Sequence, residues 1–253
     1  MIVKRKCWVS NLQFLGFSCK EGVNLIARGK NKRWGICYLC GKEGIVTDDH
    51  VPPQCLAPLA DDAIFYKLPA HESCNNALSV HESRFRDFVV SASKDGVREA
   101  ENAFENMQRN FRRRGNEEQS GFLNRDFFRL YENIEQREGY TPGGIYVGPV
   151  VGIKPAQDLD YKSVLTKIAR GLHYHHNGAI IPDNYDVYAD FLFSDFERHA
   201  THMQHLNITG QMGDFFAFRG TSAKDEPKSG IWYMCFYRSV IGMVGFRQPK
   251  ELE

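Results

Sequence analysis

The sequence predicts an α+β protein, and three observations support this fold class. Apolar residues recur at helical spacing between residues 85 and 111 and again between residues 161 and 174. By contrast, residues 214–246 contain short apolar and aromatic runs separated by glycine-containing turns, which is typical of antiparallel hairpins. Closer to the N-terminus, two pairs of metal-ligand residues bracket short strand-like runs, which predicts a small core held by a metal ion.

The first 35 residues are basic, although the whole chain carries a formal charge of only +1. Before Gly35, eight lysine and arginine residues accompany a single acidic residue, Glu21, so this segment has a charge of +7. Such a charge suits contact with a phosphate backbone, and a solvated basic surface is the alternative. We also expect short strands in this segment, with a tight turn near Glu21-Gly22.

Size and cysteine content limit the class of protein. A chain of 253 residues is long enough to bury a full core, in one large domain or two small ones. Seven cysteines form an odd set, and neither a secretory leader pattern nor a membrane-spanning apolar run is visible. We therefore expect a cytoplasmic protein in a reducing compartment, with no membrane partner.

Two residue pairs predict a structural zinc site. Cys37 and Cys40 lie at x-x spacing before Gly41, which is typical of a zinc knuckle, and His71 and Cys74 repeat this spacing further along the chain. Together they form a tetrahedral Cys₃His set for Zn²⁺. The alternative is a set of ordinary half-buried cysteines with a surface histidine. Cys55 has no partner at this spacing and is interpreted as a small buried apolar residue.

An Asp49-His50 dipeptide lies between the two pairs. The Val51-Pro52-Pro53 sequence that follows favours extended backbone, so the two side chains are expected on opposite sides of a strand. One of them is then free to hold a hard cation while the other acts as a base. Asn75 directly follows a zinc ligand at the expected start of a helix, where its amide oxygen would reach the same cation; a helix N-cap is the alternative.

Taken in chain order, these motifs resemble those of the HNH endonucleases, the ββα-metal class. The similarity is to the zinc-bearing branch of that class. The resemblance covers residues 36–90 and implies a zinc-held ββα-metal core. It implies that His50 is the general base and that Asp49 and Asn75 hold the catalytic divalent ion, Mg²⁺ or Mn²⁺. It also implies which residues hold the structural zinc: Cys37, Cys40, His71 and Cys74.

This sequence departs from the family in two places. The family usually has cysteine where His71 stands, but histidine is an ordinary zinc ligand. The asparagine that steadies the loop below the base is missing from the expected position, Ile64 to Tyr66. Asp61 or Asp62 are candidates to replace it.

His81 is a further candidate metal ligand, because some HNH enzymes carry a histidine along this helix. Glu82 is a similar candidate. The alternative for His81 is a solvated helical histidine.

The remaining elements follow from periodicity. Helices are expected over 85–92 and 97–114, and another from Phe122 to Arg137. A strand is expected over 145–153 and a helix from Tyr161, capped by Asp158 or Asp160. Further expectations are a strand over 185–193, a helix over 195–206, a hairpin over 214–237 and a strand over 239–246. Metal binding by the histidine triplet is not favoured, because its spacing drifts off one helical face; its members are His199, His202 and His205.

The predicted organisation has four parts. These are a basic N-terminal segment over 1–35, the nuclease domain over 36–92, a helical linker over 93–140, and a small α+β domain over 141–253. The last part shows no catalytic residues of its own, so a regulatory partner or a second copy of the chain is expected to bind there.

The sequence thus predicts a metal-dependent HNH endonuclease that hydrolyses phosphodiester bonds in nucleic acid, with DNA as the expected substrate. The first alternative is a catalytically silent zinc-ribbon module that binds nucleic acid or protein. The second is an RNase or a regulated defence effector. Cleavage in the presence of Mg²⁺ separates these hypotheses.

Overall fold

Antiparallel sheets and separate helices make up the structure, a computed structural model, so the predicted α+β class is confirmed. The structure describes residues 32–57, 65–93, 97–114, 134–140, 146–153, 160–192 and 196–249. The strands and the Glu21-Gly22 turn expected in the basic segment lie outside these ranges, as do Asp61 and Asp62.

The first sheet is three-stranded, with β2 in the middle. Its strands are β1 (Arg33–Ile36), β2 (Glu43–Val51) and β3 (Tyr66–His71). The β2 side chains alternate between the two faces of the sheet. His50 pairs with Lys67 on the outer face, and Asp49 pairs with Leu68 on the buried face. The expectation that Asp49 and His50 project to opposite sides is therefore confirmed.

Three helices follow the first sheet: α1 (Glu72–Asn76), α2 (Ser79–Ser93) and α3 (Arg98–Arg114). Phe85 and Phe88 of α2 are fully buried, which confirms the predicted apolar stripe. Asn75 lies in the last turn of α1, not at its start. The N-cap of α1 is His71, because the chain leaves β3 directly into the helix, so the alternative role of Asn75 as N-cap is wrong.

A two-stranded sheet of β4 (Ile134–Tyr140) and β5 (Tyr146–Ile153) comes next. The strand expected over 145–153 is confirmed. The expected helix from Phe122 to Arg137 is wrong at its end, because residues 134–137 pair with β5. Pairing with the next strand along the chain overrides a weak local helical preference.

Helix α4 (Tyr161–Asn177) is central to the molecule. The carboxylate of Asp160 accepts a hydrogen bond from the Ser163 amide at 3.0 Å, so the predicted cap is confirmed. Gly178, at φ +65°, ends the helix in the left-handed region. The predicted apolar face is fully buried. It consists of Val164, Leu165, Ile168, Ala169 and Leu172.

Helix α4 packs between two sheets. A Cβ atom on Gly171 would lie 2.6 Å from Val51 on one side, and one on Gly242 would lie 2.6 Å from Leu165 on the other. Glycine at these points allows the close approach that brings the first sheet and the C-terminal sheet onto the same helix.

The C-terminal sheet has five antiparallel strands in the order β6-β10-β9-β8-β7. Its elements are β6 (Asp186–Phe191), α5 (Phe196–Gln204), β7 (Ile208–Met212), β8 (Phe216–Ser222), β9 (Gly230–Phe236) and β10 (Val240–Arg247). The helix and the hairpin predicted here are confirmed, whereas β7 was missed because its sequence, Ile-Thr-Gly-Gln-Met, shows little apolar alternation.

One apolar cluster contains residues from both the predicted nuclease domain and the predicted C-terminal domain. Phe85 of α2, for example, packs edge-to-face on Phe236 of β9, with ring centroids 5.2 Å apart. The four-part division of the chain stays a prediction. No helix in the described ranges is long and apolar enough to cross a membrane.

Candidate metal centre and the adjoining oxygen cluster

Four ligand side chains meet at the junction of β1, β3 and α1. Their ligand atoms all lie within 4.8 Å of one another, and we call this group the thiol cluster. It consists of Cys37, Cys40, His71 and Cys74. The Nδ1 atom of His71 lies 3.4 Å from Cys40 Sγ and 3.9 Å from Cys74 Sγ. Tetrahedral zinc with ordinary bond lengths separates its ligand atoms by about 3.6 Å, so this set could hold a metal such as zinc.

Local backbone structure explains why these side chains converge. The Gly41 amide donates to the Cys37 carbonyl at 2.8 Å, and the positive φ of Gly41, +70°, closes the turn that carries the first two thiols. Gly44 gives room to the imidazole, since a Cβ atom there would lie 2.7 Å from His71 Nε2. Local structure therefore places the two ligands within each pair, and the pairing of β2 with β1 and β3 brings the two pairs together.

The electrostatics of the thiol cluster favour a bound cation. Burial works against ionisation of Cys37, but hydrogen bonds from the His71 and Cys40 backbone outweigh it, and the pKa of Cys37 lies below its ordinary value. Burial, followed by the charges of Cys37 and Cys40, raises the pKa of Cys74 to about 11. Several thiolates close together therefore need a positive ion to stay ionised together, and a metal ion supplies that charge.

A second cluster adjoins the first, and a lysine lies at its centre. The Nζ atom of Lys167, from α4, lies 2.8 Å from Asn75 Oδ1, 2.6 Å from Glu82 Oε1 and 3.2 Å from Asp49 Oδ2. We call these three oxygen ligands, with Lys167, the oxygen cluster. The side chains of Lys167 and Asp49 are 2% and 6% exposed. Asp49 and Asn75, which are predicted to hold one divalent ion, both contact the ammonium group of Lys167, and the divalent ion stays a prediction.

Tyr38 connects the two clusters. It lies between the first two cysteines, and its hydroxyl donates to Asp49 Oδ2 at 2.8 Å. Burial raises the pKa of Tyr38, and the charges of Asp49 and Glu82 raise it further, so the phenol stays protonated and acts as a donor. The position of Asp49 therefore depends on the turn that carries the thiols.

His50 lies on the outer face of the first sheet, half-exposed. Its imidazole is packed edge-to-face against Phe65, with ring centroids 5.7 Å apart. Phe65 falls where the family has its loop-steadying asparagine, so an aromatic contact is present beside the base. Burial, followed by the charge of Lys67, lowers the pKa of His50, although Asp49 and Asp48 act in the opposite direction.

The remaining candidate histidines, His81 and the triplet that contains His199, belong to neither cluster. Within the described part of the chain, the thiol cluster is the group of side chains that could hold a metal ion. His81 does not belong to it. Instead, Glu82, the next residue, reaches Lys167. His199 Nδ1 lies 3.0 Å from the hydroxyl of Tyr233, which fits the interpretation of the triplet as ordinary histidines.

Sequence reasoning missed Lys167 and Tyr38. Lys167 lies three residues after Val164, at the margin of the apolar face of α4, and this position was the available signal. Tyr38, a large residue between two zinc ligands, offered no signal of its partner.

Comparison with known proteins identified no relative of this chain. A scan against protein-family models found no matching family, and searches of curated proteins and of solved structures found no match either.

Proposed function

We propose that the chain is a divalent-metal-dependent endonuclease of the HNH type that hydrolyses phosphodiester bonds in nucleic acid, with DNA as the expected substrate. One observation carries this proposal. Asp49 and Asn75, paired from the sequence as ligands of one cation, converge on a single positive group although they lie on different elements. Two carboxylates and an amide oxygen are hard ligands of the kind that Mg²⁺ and Mn²⁺ prefer.

The arrangement of the elements supports the same proposal. Strands β2 and β3 and helix α1 carry the proposed base and both proposed ligands. His71 and Cys74 fix α1 to the turn before β2, so a zinc ion held there would keep Asn75 in register with Asp49. The resemblance to the HNH family implies the same role for the zinc-held ββα-metal core.

In the proposed reaction, His50 accepts the proton of the attacking water. Its lowered pKa keeps the imidazole neutral near pH 7, which is the form that accepts a proton. When bound, Mg²⁺ or Mn²⁺ supplies Lewis-acid stabilisation of the charge that develops on the phosphate. Lys67, exposed and opposite His50 on the outer face, is placed to attract the phosphate backbone.

The test is cleavage of supercoiled plasmid DNA with Mg²⁺ or Mn²⁺. We expect wild type to cut and His50→Ala to cut about 10²- to 10⁴-fold more slowly, because general-base catalysis contributes that much. His202→Ala, an exposed histidine of α5, is the matched control and should cut like wild type. Equal cutting by His50→Ala would remove His50 from its role.

The pH dependence offers a further test. Cleavage needs neutral imidazole, so activity should rise with pH through the pKa of His50 and level off above it. Lys67→Gln removes one cause of the lowered pKa, and the acidic limb of the rate profile should therefore shift to higher pH. An unchanged limb would mean that another group controls it.

A second candidate function is a zinc-held binding module that does not cut, and the burial of Lys167 in the cation position favours it. Binding of DNA or RNA without cleavage in any divalent metal would support this candidate. An RNA arm in the same panel tests the RNase alternative. The thiols of the cluster are free, so we place either activity in a reducing, cytoplasmic compartment.

A further inference from the structure

The oxygen cluster has more negative than positive formal charge. Asp49 and Glu82 each bring one negative charge, whereas the Lys167 ammonium brings a single positive charge and Asn75 is neutral. A divalent cation held by the same oxygens would balance both carboxylates. Lys167 donates hydrogen bonds to Asn75 and Glu82 and forms an ion pair with Asp49, but it leaves the site open to competition from a more highly charged ion.

Lys167 comes from a different part of the fold from its partners. It projects from α4, while its acceptors belong to β2, α1 and α2. Arg170, one turn further along α4, donates to the Leu39 carbonyl at 2.8 Å, in the turn between the first two thiols. Gly171 lies against Val51. Helix α4 therefore covers the inner face of the hairpin and brings the lysine with it.

In this arrangement two members of the oxygen cluster are deeply buried, whereas Asn75 and the Glu82 side chain, at 13%, are partly exposed. The Lys167 side chain is 2% exposed, and the carboxylate of Asp49 lies beneath it at 6%. A phosphate of nucleic acid cannot approach groups this deeply buried, although His50 on the outer face is accessible. Any reaction that uses Asp49 and Asn75 together with His50 therefore requires Lys167 to leave.

We propose that Lys167 is a tethered cation that occupies the divalent-ion position formed by Asp49, Asn75 and Glu82, and that withdrawal of Lys167 from this position activates the site. This inference rests on the proposed function. Glu82 becomes the third protein ligand of the ion, in place of His81. The resting chain is held closed by its own lysine, and a divalent ion or a partner that moves α4 opens it.

The first experiment uses the unaltered, zinc-loaded full chain. Lysine acylation is followed by peptide mass spectrometry during a Mn²⁺ titration. Lys167 should be protected without Mn²⁺ and become labelled as Mn²⁺ displaces it. Lys162, exposed on the same helix, is the internal control and should be labelled equally throughout. Protection of Lys167 across the whole titration would overturn the proposal.

The second experiment measures Mn²⁺ binding by calorimetry and by electron paramagnetic resonance. Lys167→Ala should bind one Mn²⁺ about tenfold or more tightly than wild type, because the competing group no longer occupies the site. Adding Asp49→Asn should abolish this gain, and Lys162→Ala should match wild type. An unchanged affinity in a folded Lys167→Ala protein would overturn the proposal, and if this variant does not fold, the labelling result decides alone.

Cleavage assays separate the two proposals. If Lys167→Ala gains Mn²⁺ binding but neither it nor wild type cuts nucleic acid, the tethered cation stands and the nuclease fails. If wild type cuts through His50 while Lys167 stays protected, the nuclease stands and the tethered cation fails. Faster cutting by Lys167→Ala than by wild type supports both.

Discussion

The thiol cluster and the oxygen cluster are neighbours, yet they obtain positive charge in different ways. The thiol cluster brings three thiols and an imidazole together from two short segments that the pairing of β2 with β3 holds side by side, and the crowding of its thiols raises the pKa of Cys74. The oxygen cluster already contains a cation, the Lys167 ammonium, delivered by a helix from far along the chain. The first set of ligands could hold a metal such as zinc, and we propose that the cation of the second is exchangeable.

Tyr38 makes the comparison sharper because it belongs to both regions. Its backbone lies in the turn between the first two thiols, and its hydroxyl holds Asp49. Changes at one cluster should therefore reach the other through a single buried side chain.

The largest expected effect is loss of the metal from the thiol cluster. Structural zinc sites contribute on the order of 10 kcal/mol in small peptides, so Cys40→Ala should lose its bound zinc and much of its thermal stability. Elemental analysis and thermal unfolding measure this. Cys55→Ala is the matched control, because burial raises the pKa of Cys55 to about 11 and its thiol lies outside the cluster. Zinc bound at wild-type stoichiometry in Cys40→Ala would contradict the assignment.

Removing the internal cation should have the next largest effect. Lys167→Met keeps the volume but removes the ammonium partner of the buried Asp49 and the partly buried Glu82, and breaking a buried ion pair costs about 3–5 kcal/mol. Denaturation in the absence of divalent ions measures the loss, and added Mn²⁺ should restore part of it by binding the folded state. Lys162→Met should stay within about 0.5 kcal/mol of wild type. Stability equal to wild type would mean that Lys167 does not compensate the carboxylates.

A smaller effect is expected at the connection between the clusters. Tyr38→Phe removes one of the two partners of Asp49 Oδ2 and leaves Lys167, and a hydrogen bond to a charged group contributes about 1.5–3 kcal/mol. The free energy of unfolding should fall while zinc content stays constant, because the turn itself is unchanged. Tyr188→Phe, at an exposed tyrosine of β6, is the control. Loss of zinc together with stability would show that the two clusters are coupled more tightly than one hydrogen bond implies.

The smallest effect should come from the space beside His71. Gly44→Ala places a methyl group 2.7 Å from His71 Nε2, so the imidazole must move within the thiol cluster. We expect zinc affinity to fall about tenfold, as for other changes next to a metal ligand. A chelator competition assay measures this. Gly245→Ala is the matched control, because a Cβ atom at this position would have no neighbouring atom within 4 Å. Unchanged affinity would mean that the cluster tolerates a shifted ring.

The sequence by itself determined the local parts of the molecule. The x-x spacing within each pair was enough to predict the ligands of the thiol cluster, because local backbone structure fixes two ligands three residues apart, and the pairing of β2 with β3 then brings the two pairs together. Helix α4, with its cap at Asp160 and its buried apolar face, followed from periodicity for the same reason. The alternation of Asp49 and His50 across β2 followed from strand geometry.

Only the tertiary structure decided what holds the oxygen cluster together. Lys167 lies at the margin of the apolar face of an amphipathic helix, and its three acceptors come from elements distant in sequence. A lysine at such a position is usually solvated, and its burial depends on whether distant acceptors meet it. No local sequence pattern predicts the contact between Lys167 and these acceptors. The expected helix from Phe122 to Arg137 was wrong over residues 134–137, because pairing with the next strand, β5, settled the conformation of that segment.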